Sequence, residues 1–410
     1  MGSEKIELLC PAGSMESLDA ALHFGADAVY GGMKRFGLRA FAGNFDAEAL
    51  EQAVRKTHGA GKRFYLTMNI FPFDDQMDEM VAAAQLAKEI GVDAAIVSDL
   101  GAIAAIHRGV PNLPLHVSTQ ANTVNSEAVG IYHAMGCERV ILARETSIKR
   151  MKEIVRRNPE TDIEVFVHGA ACMAYSGRCM LSAAMTGRSA NQGACAQSCR
   201  WRYSVVEEKR PGEYMPVCED ENGTYIFSAR DLNLMPLLPD LLEAGVRSLK
   251  IEGRMKTDYY VSVVTAAYRR ALDLLASDGD FSAALPELMA ELSCASHRDS
   301  DTGFALGAPE QPVGADGFRQ SREYLARAVE DCLGGHECRF VLKNRFTAGE
   351  TLELLTTHGV KTFTAKPFIR EKTGETVETF GIGGEIIRMD MPFEVEKGDI
   401  LRGETRNHRK

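Results

Sequence analysis

For its first 270 residues the chain alternates short apolar runs with stretches whose apolar positions recur every three or four residues. The run IELLC (6–10) is the first strand candidate. PAGSMESLDAALHFG follows it, with Pro11 and Gly13 making a turn, Ser14 placed to cap a helix and Gly25 to close it. Further strand candidates are ADAVYGG, RFYLTMN, DAAIVSD, LHVSTQ, RVILAR, IEVFVHG and VRSLKIEG. Amphipathic segments such as DQMDEMVAAAQLAKEIG and NSEAVGIYHAMG lie between them. Eight β/α steps predict an α/β fold, a TIM-like (β/α) barrel rather than an open doubly wound sheet. No glycine-rich dinucleotide fingerprint follows the first strand.

The rhythm breaks between the seventh and eighth strand candidates, for roughly 55 residues. A cysteine-rich insertion at about 169–224 is therefore expected at the carboxyl end of strand seven, which in barrels is the catalytic face. The pattern divides the chain into a barrel over 1–275, a linker with little regular structure over 276–334, and a small C-terminal all-β domain over 335–410.

Composition sharpens this picture in two places. The net charge of −10 argues against nonspecific nucleic-acid binding by the whole surface, yet residues 165–206 hold Arg178, Arg188, Arg200 and Arg202 and no acidic residue. An anionic ligand near that segment is expected; a solvated loop with incidental arginines is the plainer alternative. The chain shows no charged-then-apolar leader and no apolar run long enough to span a bilayer, so the expectation is a cytoplasmic protein without membrane contact. In that setting the ten cysteines argue against a disulfide framework and for a local metal site. Cys10, Cys137, Cys218, Cys294, Cys332 and Cys338 are scattered and read as small hydrophobic residues.

The remaining four, Cys172, Cys179, Cys195 and Cys199, stand in the spacing C-x6-C-x15-C-x3-C. Four thiolates suit zinc or an iron-sulfur cluster. Zinc ribbons favour tight C-x2-C pairs, and the wide first gap leans towards a bulkier cubane. Zinc and unliganded thiols stay open. Other polar residues fall at strand ends: His116 and Gln120 after strand five, Arg144 and Glu145 after strand six, His168 closing strand seven, and Lys250, Glu252 and Arg254 along strand eight. His168, Glu145, Gln120, Lys250 and Glu252 are the catalytic candidates. Arg144, Arg178, Arg254, His116, Tyr175, Arg200 and Arg202 are the substrate-binding candidates. Convergence of Arg144, Arg178, Lys250 and Arg254 on one pocket would suit a substrate bearing carboxylates or phosphates. The plainer reading of Lys250, Glu252 and Arg254 is a salt-bridged scaffold, and that of a strand-end histidine is a hydrogen-bonded structural residue. No G-x-S-x-G elbow or H-E-x-x-H helix is present, and a Cys172/His168 nucleophilic pair fits less well than metal ligation.

The segments ELLCPAGSMESLDAALHFGADAVYGG, HVSTQANTVN, EVFVHGAACMAYSGRCMLS, GACAQSCRWRY and LKIEGRMKTDYYV together resemble the collagenase-like peptidase family U32 over essentially the whole chain. Among its branches, the pattern is most similar to the one that forms 5-hydroxyuridine at the tRNA wobble position. The resemblance implies a 4Fe-4S cluster, an oxygen-independent hydroxylation, prephenate as co-substrate and the tRNA anticodon loop as partner. It maps cluster ligands onto Cys172, Cys179 and Cys195, with Cys199 as fourth ligand and Cys218 as a weaker substitute. Tyr175, Trp201 or Tyr203 would stack an extruded base. The family's historical name implies a peptidase instead. Because some relatives work in pairs, a homo- or hetero-oligomer with a related chain, or a noncatalytic partner role, is a third reading.

Overall fold

The apolar runs become parallel strands that close into a ring. The structure, a computed structural model, describes residues 6–39, 43–172, 174–201, 218–220, 223–225, 230–277, 279–307 and 318–406. The first barrel strands are β1 (Glu7–Pro11), β2 (Ala28–Gly32), β3 (Arg63–Met68), β4 (Ala94–Val97), β5 (Leu115–Val117), β6 (Cys137–Ile141) and β7 (Asp162–Ala170). After β8 (Cys218–Asp220), β9 (Gly223–Tyr225) and β10 (Asp231–Asn233), strand β11 (Ser248–Ile251) pairs in parallel with both β7 and β1 and shuts the barrel. Strand β10 pairs antiparallel with the end of β7 and carries β12 (Ser300–Asp301) on its other side. All eight strands expected from the apolar runs are present. They are buried on both faces, which is why they read as short apolar runs rather than as alternation.

The outer layer is α1 (Met15–His23), α2 (Ala47–Gly59), α3 (Met77–Ile90), α4 (Leu100–Gly109), α5 (Ser126–Ala134) and α6 (Ile148–Arg157). Helix α7 (Leu181–Thr186) belongs to the cysteine segment, and α8 (Leu238–Glu243) and α9 (Asp258–Ala276) complete the ring. Ser14, Asp46, Asp99 and Asn125 cap α1, α2, α4 and α5 by accepting a backbone N–H from the first turn. These caps turn each loop sharply into its helix and leave the strand ends facing one mouth. Among the described residues no helix is long and apolar enough to cross a membrane.

Residues 276–334 differ from the expected linker. They hold α10 (Phe281–Leu292), capped by Asp280, and the first strand of the β region, Arg322–Ala328. Pro286 reads as a breaker, but Phe281, Leu288 and Leu292 bury one face of the helix and outweigh the one hydrogen bond it removes. A register shift between Tyr324 and Ala326 disrupts the two-residue alternation of the strand and hides it from a periodicity reading. The antiparallel all-β region thus begins at Arg322, not 335, and runs to Glu404 as an eight-stranded sheet with its own core around Phe340, Phe346, Phe368 and Ile387.

The two units are locked together. Leu355 and Ile400 of the β region join the barrel's core. Arg402, 2% exposed, donates to Glu291 of α10 and, from Nε at 2.8 Å, to Glu353. Cys10, Cys137 and Cys294 are buried free thiols, and burial pushes the first two up to about 12. Cys332 and Cys338 depart from the expectation of plain hydrophobic residues: they form a disulfide, their Cα atoms 5.7 Å apart, within ordinary bridging range. The side chain of Cys218 lies outside the described residues.

Candidate active site

The barrel's interior is charged where an ordinary barrel is filled with branched apolar side chains. On its floor, Glu164 is fully buried and accepts from Lys250 Nζ at 2.8 Å, Ser248 Oγ at 3.1 Å and Arg139 Nη1 at 3.2 Å. Glu7 accepts from Tyr65 at 2.8 Å, from Ser248 at 2.9 Å and from Arg139. Burial opposes ionisation of Glu164, but Lys250 and Arg139 outweigh it and hold the carboxyl below its usual range. His116 lies in this layer against Tyr65, with ring centroids 4.8 Å apart, and burial together with Arg139 and Lys250 keeps it neutral far below its ordinary range.

Above the floor a small polar pocket opens at the strand ends, with Arg39, Thr67, Asn69, Gln120, Glu252 and Arg254 among its lining residues. Arg254 is buried, yet its guanidinium meets neutral partners: Nη1 donates to Thr67 Oγ1 at 2.6 Å and Nη2 to Asn44 Oδ1. Its Nε has no hydrogen-bond partner, and burial pulls its pKa down to about 10. Arg144 donates to the Ala170 carbonyl at 2.6 Å and lies over the Phe166 ring at 4.2 Å. Arg39 and Arg144 reach the same Glu252 oxygen, at 3.6 and 3.7 Å. Burial opposes the Glu252 charge, and Arg39, Arg144 and Arg254 outweigh it. Among the described residues Glu252 is the only carboxylate within ion-pair distance of Arg39 or Arg144, and none reaches Arg254. Three guanidinium groups thus face one carboxylate. The excess positive charge in a partly closed pocket suits a small anion.

The cysteine segment crosses this mouth and is fastened to several barrel loops. Glu145 accepts from Ser176 twice, from N at 2.9 Å and from Oγ at 3.0 Å. Gly177, at φ +74, presses so closely on the Gln120 carbonyl that a Cβ there would lie 1.9 Å from the oxygen. Asn191 O accepts from Phe71 N at 3.3 Å, and Gln192 donates back to the Phe71 carbonyl. Gly193, at φ +87, packs on the Gly37 carbonyl, which a Cβ would approach to 2.7 Å. Cys179, Cys195 and Cys199 are half-buried and Cys172 is exposed. Gln197 N–H points at the Cys195 sulfur, 3.4 Å away.

The donor set fits an iron-sulfur group: four thiols on one segment, a backbone N–H aimed at one sulfur, and guanidinium charge nearby. A single zinc at about 2.3 Å from each sulfur would hold the sulfurs roughly 3.8 Å apart. Among the described residues the group of metal-binding side chains with ligand atoms within 4.8 Å of one another lies elsewhere, at His23, Glu396 and Asp399.

Of the four cations expected to converge, Lys250 and Arg254 line this pocket, together with Arg39; Arg144 lines a neighbouring cleft and approaches the pocket through Glu252, 3.7 Å away. Arg178 lies exposed on the cysteine segment, outside the pocket lining. Gln120 and Glu252 line the pocket; Glu145 is occupied by Ser176, and His116 sits beneath the pocket rather than in it. Tyr175 is 57% exposed, and Trp201 at the far end of the segment is exposed as well. The side chain of Arg200 and all of Arg202 and Tyr203 lie outside the described residues. Arg39, Asn44 and Asn69 escaped the sequence reading. For Arg39 and Asn44 the available signal was the unusually long β2–α2 connection, fourteen residues from Met33 to Asp46, carrying two arginines and an asparagine.

His168 does not enter the mouth. The register of β7 on β11 slips between Lys250 and Ile251, placing an extra β7 residue before His168 and reversing the facing set by Glu164 and Phe166. Its ring packs against Tyr268 of α9, centroids 5.5 Å apart, and burial pulls its pKa down to about 4. An unfolded histidine titrates near 6.5, so between that pH and 4 the unfolded chain binds more protons than the native one. Stability from His168 is therefore complete above about pH 6.5 and is lost as pH falls towards 4, by up to about 3 kcal/mol. His168→Asn should flatten the fall in melting temperature across that window, and an unchanged slope would contradict this assignment.

Glu145 makes a second prediction. Hydrogen bonds to a charged acceptor contribute about 1.5–3 kcal/mol each. Glu145→Ala should raise amide exchange at Ser176 by roughly tenfold or more, while the barrel's melting temperature moves by only about 2 °C.

Comparison with known proteins matches residues 13–314 to the model of peptidase family U32 and residues 324–402 to that of the peptidase family U32 C-terminal domain. The chain is 35% identical to tRNA hydroxylation protein P of Escherichia coli over 96% of its own length and 95% of the relative's. It is 34% identical to a collagenase of Porphyromonas gingivalis, over 75% of each chain. It is 36% identical to the 23S rRNA 5-hydroxycytidine C2501 synthase of Escherichia coli, over 69% of this chain and 42% of that one. Matched from the first barrel turn to the last strands of the β region, this chain belongs to peptidase family U32.

Proposed function

We propose that this chain is an RNA-modifying hydroxylase that forms 5-hydroxyuridine at the wobble position of tRNA, with prephenate as co-substrate and a 4Fe-4S cluster. The observation that carries the reading is the four-thiol segment laid across an arginine-rich barrel mouth, in a chain 35% identical to a tRNA hydroxylation protein along nearly its whole length. Cys172, Cys179, Cys195 and Cys199 would hold the cluster, which when bound supplies one-electron redox chemistry. Arg39, Arg144 and Arg254 bind the carboxylates of the small anion, and Glu252 keeps the guanidinium groups together before it arrives. Exposed Tyr175 and Trp201 of the cysteine segment offer faces on which an extruded base stacks, and exposed Arg178 and Arg188 of the same segment supply positive charge for its phosphates.

The test begins with protein purified without oxygen. About four irons and four sulfides per chain are expected, lost in Cys172→Ala. A strain lacking the protein should lose the modified uridine and regain it from the wild-type chain alone but not from the variant. Peptide cleavage that survives iron removal, with unchanged tRNA, would establish the peptidase reading instead. A requirement for a second chain would establish the partner role.

A further inference from the structure

One arginine belongs to both halves of the site. Arg39 follows Gly37, whose carbonyl supports Gly193 of the cysteine segment two residues before Cys195. The backbone on either side is pinned: Leu38 N donates to Asn69 Oδ1 at 3.1 Å, and Asn44 Nδ2 donates to the Arg39 carbonyl at 2.8 Å. The same Asn44 side chain accepts from Arg254, which ties the loop to the pocket above the floor. On the pocket side the Arg39 guanidinium stands 3.6 Å from Glu252. That is longer than the 2.7–2.9 Å typical of a charge-assisted hydrogen bond, so Glu252 attracts the group without fixing it. On the segment side the loop that carries Arg39 packs through the Gly37 carbonyl on Gly193, two residues from Cys195, which brings its positive charge towards the segment's thiols. Its side chain is about a quarter exposed, which leaves it room to shift between the two.

We infer that Arg39 is a positioning residue that couples occupancy of the arginine pocket to the electron affinity of the metal group held by the cysteine segment. The inference rests on the iron-sulfur reading given above. Positive charge beside the sulfurs favours the state with one extra electron. An anion in the pocket competes for the guanidinium and draws it away from Cys172 and Cys195. Reduction then becomes harder while the pocket is filled. Linkage requires the reverse as well: reduction weakens anion binding by the same factor. The reduction is a one-electron addition from an external reductant, and no bond forms or breaks.

The experiment is a dithionite titration of anaerobically purified full-length protein, followed by visible absorption and electron paramagnetic resonance, with and without prephenate. Arg39→Met should shift the reduced-to-oxidised ratio at fixed potential at least tenfold towards oxidised, which is about 59 mV for one electron. In that variant the further shift caused by prephenate should shrink to less than half that of the wild type. Arg39→Lys should recover most of the potential. Glu252→Gln, which releases Arg39 towards the sulfurs, should move the ratio the opposite way and serves if Arg39→Met does not retain iron. A ratio in Arg39→Met within threefold of wild type, or a prephenate shift of undiminished size, overturns the coupling. Absence of iron from wild-type protein overturns it together with the hydroxylase reading. Iron present but no calorimetric prephenate binding removes the co-substrate and the coupling while leaving the cluster reading in place.

Discussion

Glu164→Gln is expected to destabilise the barrel by about 3–5 kcal/mol, the range found when one partner of a buried ion pair is removed. The fully buried carboxylate answers Lys250, itself 3% exposed, at 2.8 Å. No other carboxylate reaches Lys250 among the described residues, whereas Arg139 keeps Glu7 and Asp162. Glutamine fills nearly the same volume and still accepts a hydrogen bond, so the loss reports charge rather than a cavity. For a barrel of this size the melting temperature should fall by about 10 °C, read on the barrel's own transition. Glu164→Leu combined with Lys250→Met should recover much of that loss, because an apolar pair replaces a desolvated one. A fall of less than about 1 kcal/mol in the single variant would mean that water reaches the floor and screens the pair.

Arg254→Met should behave in the opposite way, harming binding far more than stability. Its partners, Thr67 and Asn44, are neutral, so its removal strands no opposite charge. What is lost is a buried fork of donors facing the pocket. On the proposed reading, with prephenate as the small anion, two charge-assisted hydrogen bonds at about 1.5–3 kcal/mol each predict a rise of at least 100-fold in its KM. Affinity for tRNA should stay within about threefold, since the residue lies beneath the rim. Arg254→Lys should recover only part, because an ammonium cannot span both acceptors as the planar guanidinium does. An unchanged KM would move the small-anion site away from this pocket.

The β/α rhythm was legible because each barrel strand is buried on both faces and most of the helices on one, so periodicity reports the architecture directly. The cysteine spacing singled out its segment for a different reason, thiols crowded into a short stretch, and the structure lays that segment across the barrel mouth. Facing was much harder to read. Strict alternation from Glu164 and Phe166 points His168 into the mouth, and only a register slip, a property of the β7–β11 pair, turns it into the core. Glu145 follows Arg144 at a strand end and looks catalytic, yet its partner, Ser176, is a residue thirty-one positions away. Arg39 sits in an irregular loop where periodicity is silent, and its role depends on Glu252 and the cysteine segment meeting it in space. Pro286 and the slip at Tyr324 concealed α10 and the first strand of the β region by breaking local rules that burial then overrode.

The anchors of the cysteine segment carry a consequence for biogenesis. Gly37, Phe71, Gln120 and Glu145, the groups that hold it, all precede Cys172 in the chain. A ribosome therefore delivers the docking surface before the ligands, and the thiols emerge onto strands able to receive them. Barrel closure waits for β11, which follows the segment and pairs with both β1 and β7. The thiols are thus presented before Lys250, Glu252 and Arg254 have been made, and the finished mouth waits for the strand that closes the barrel.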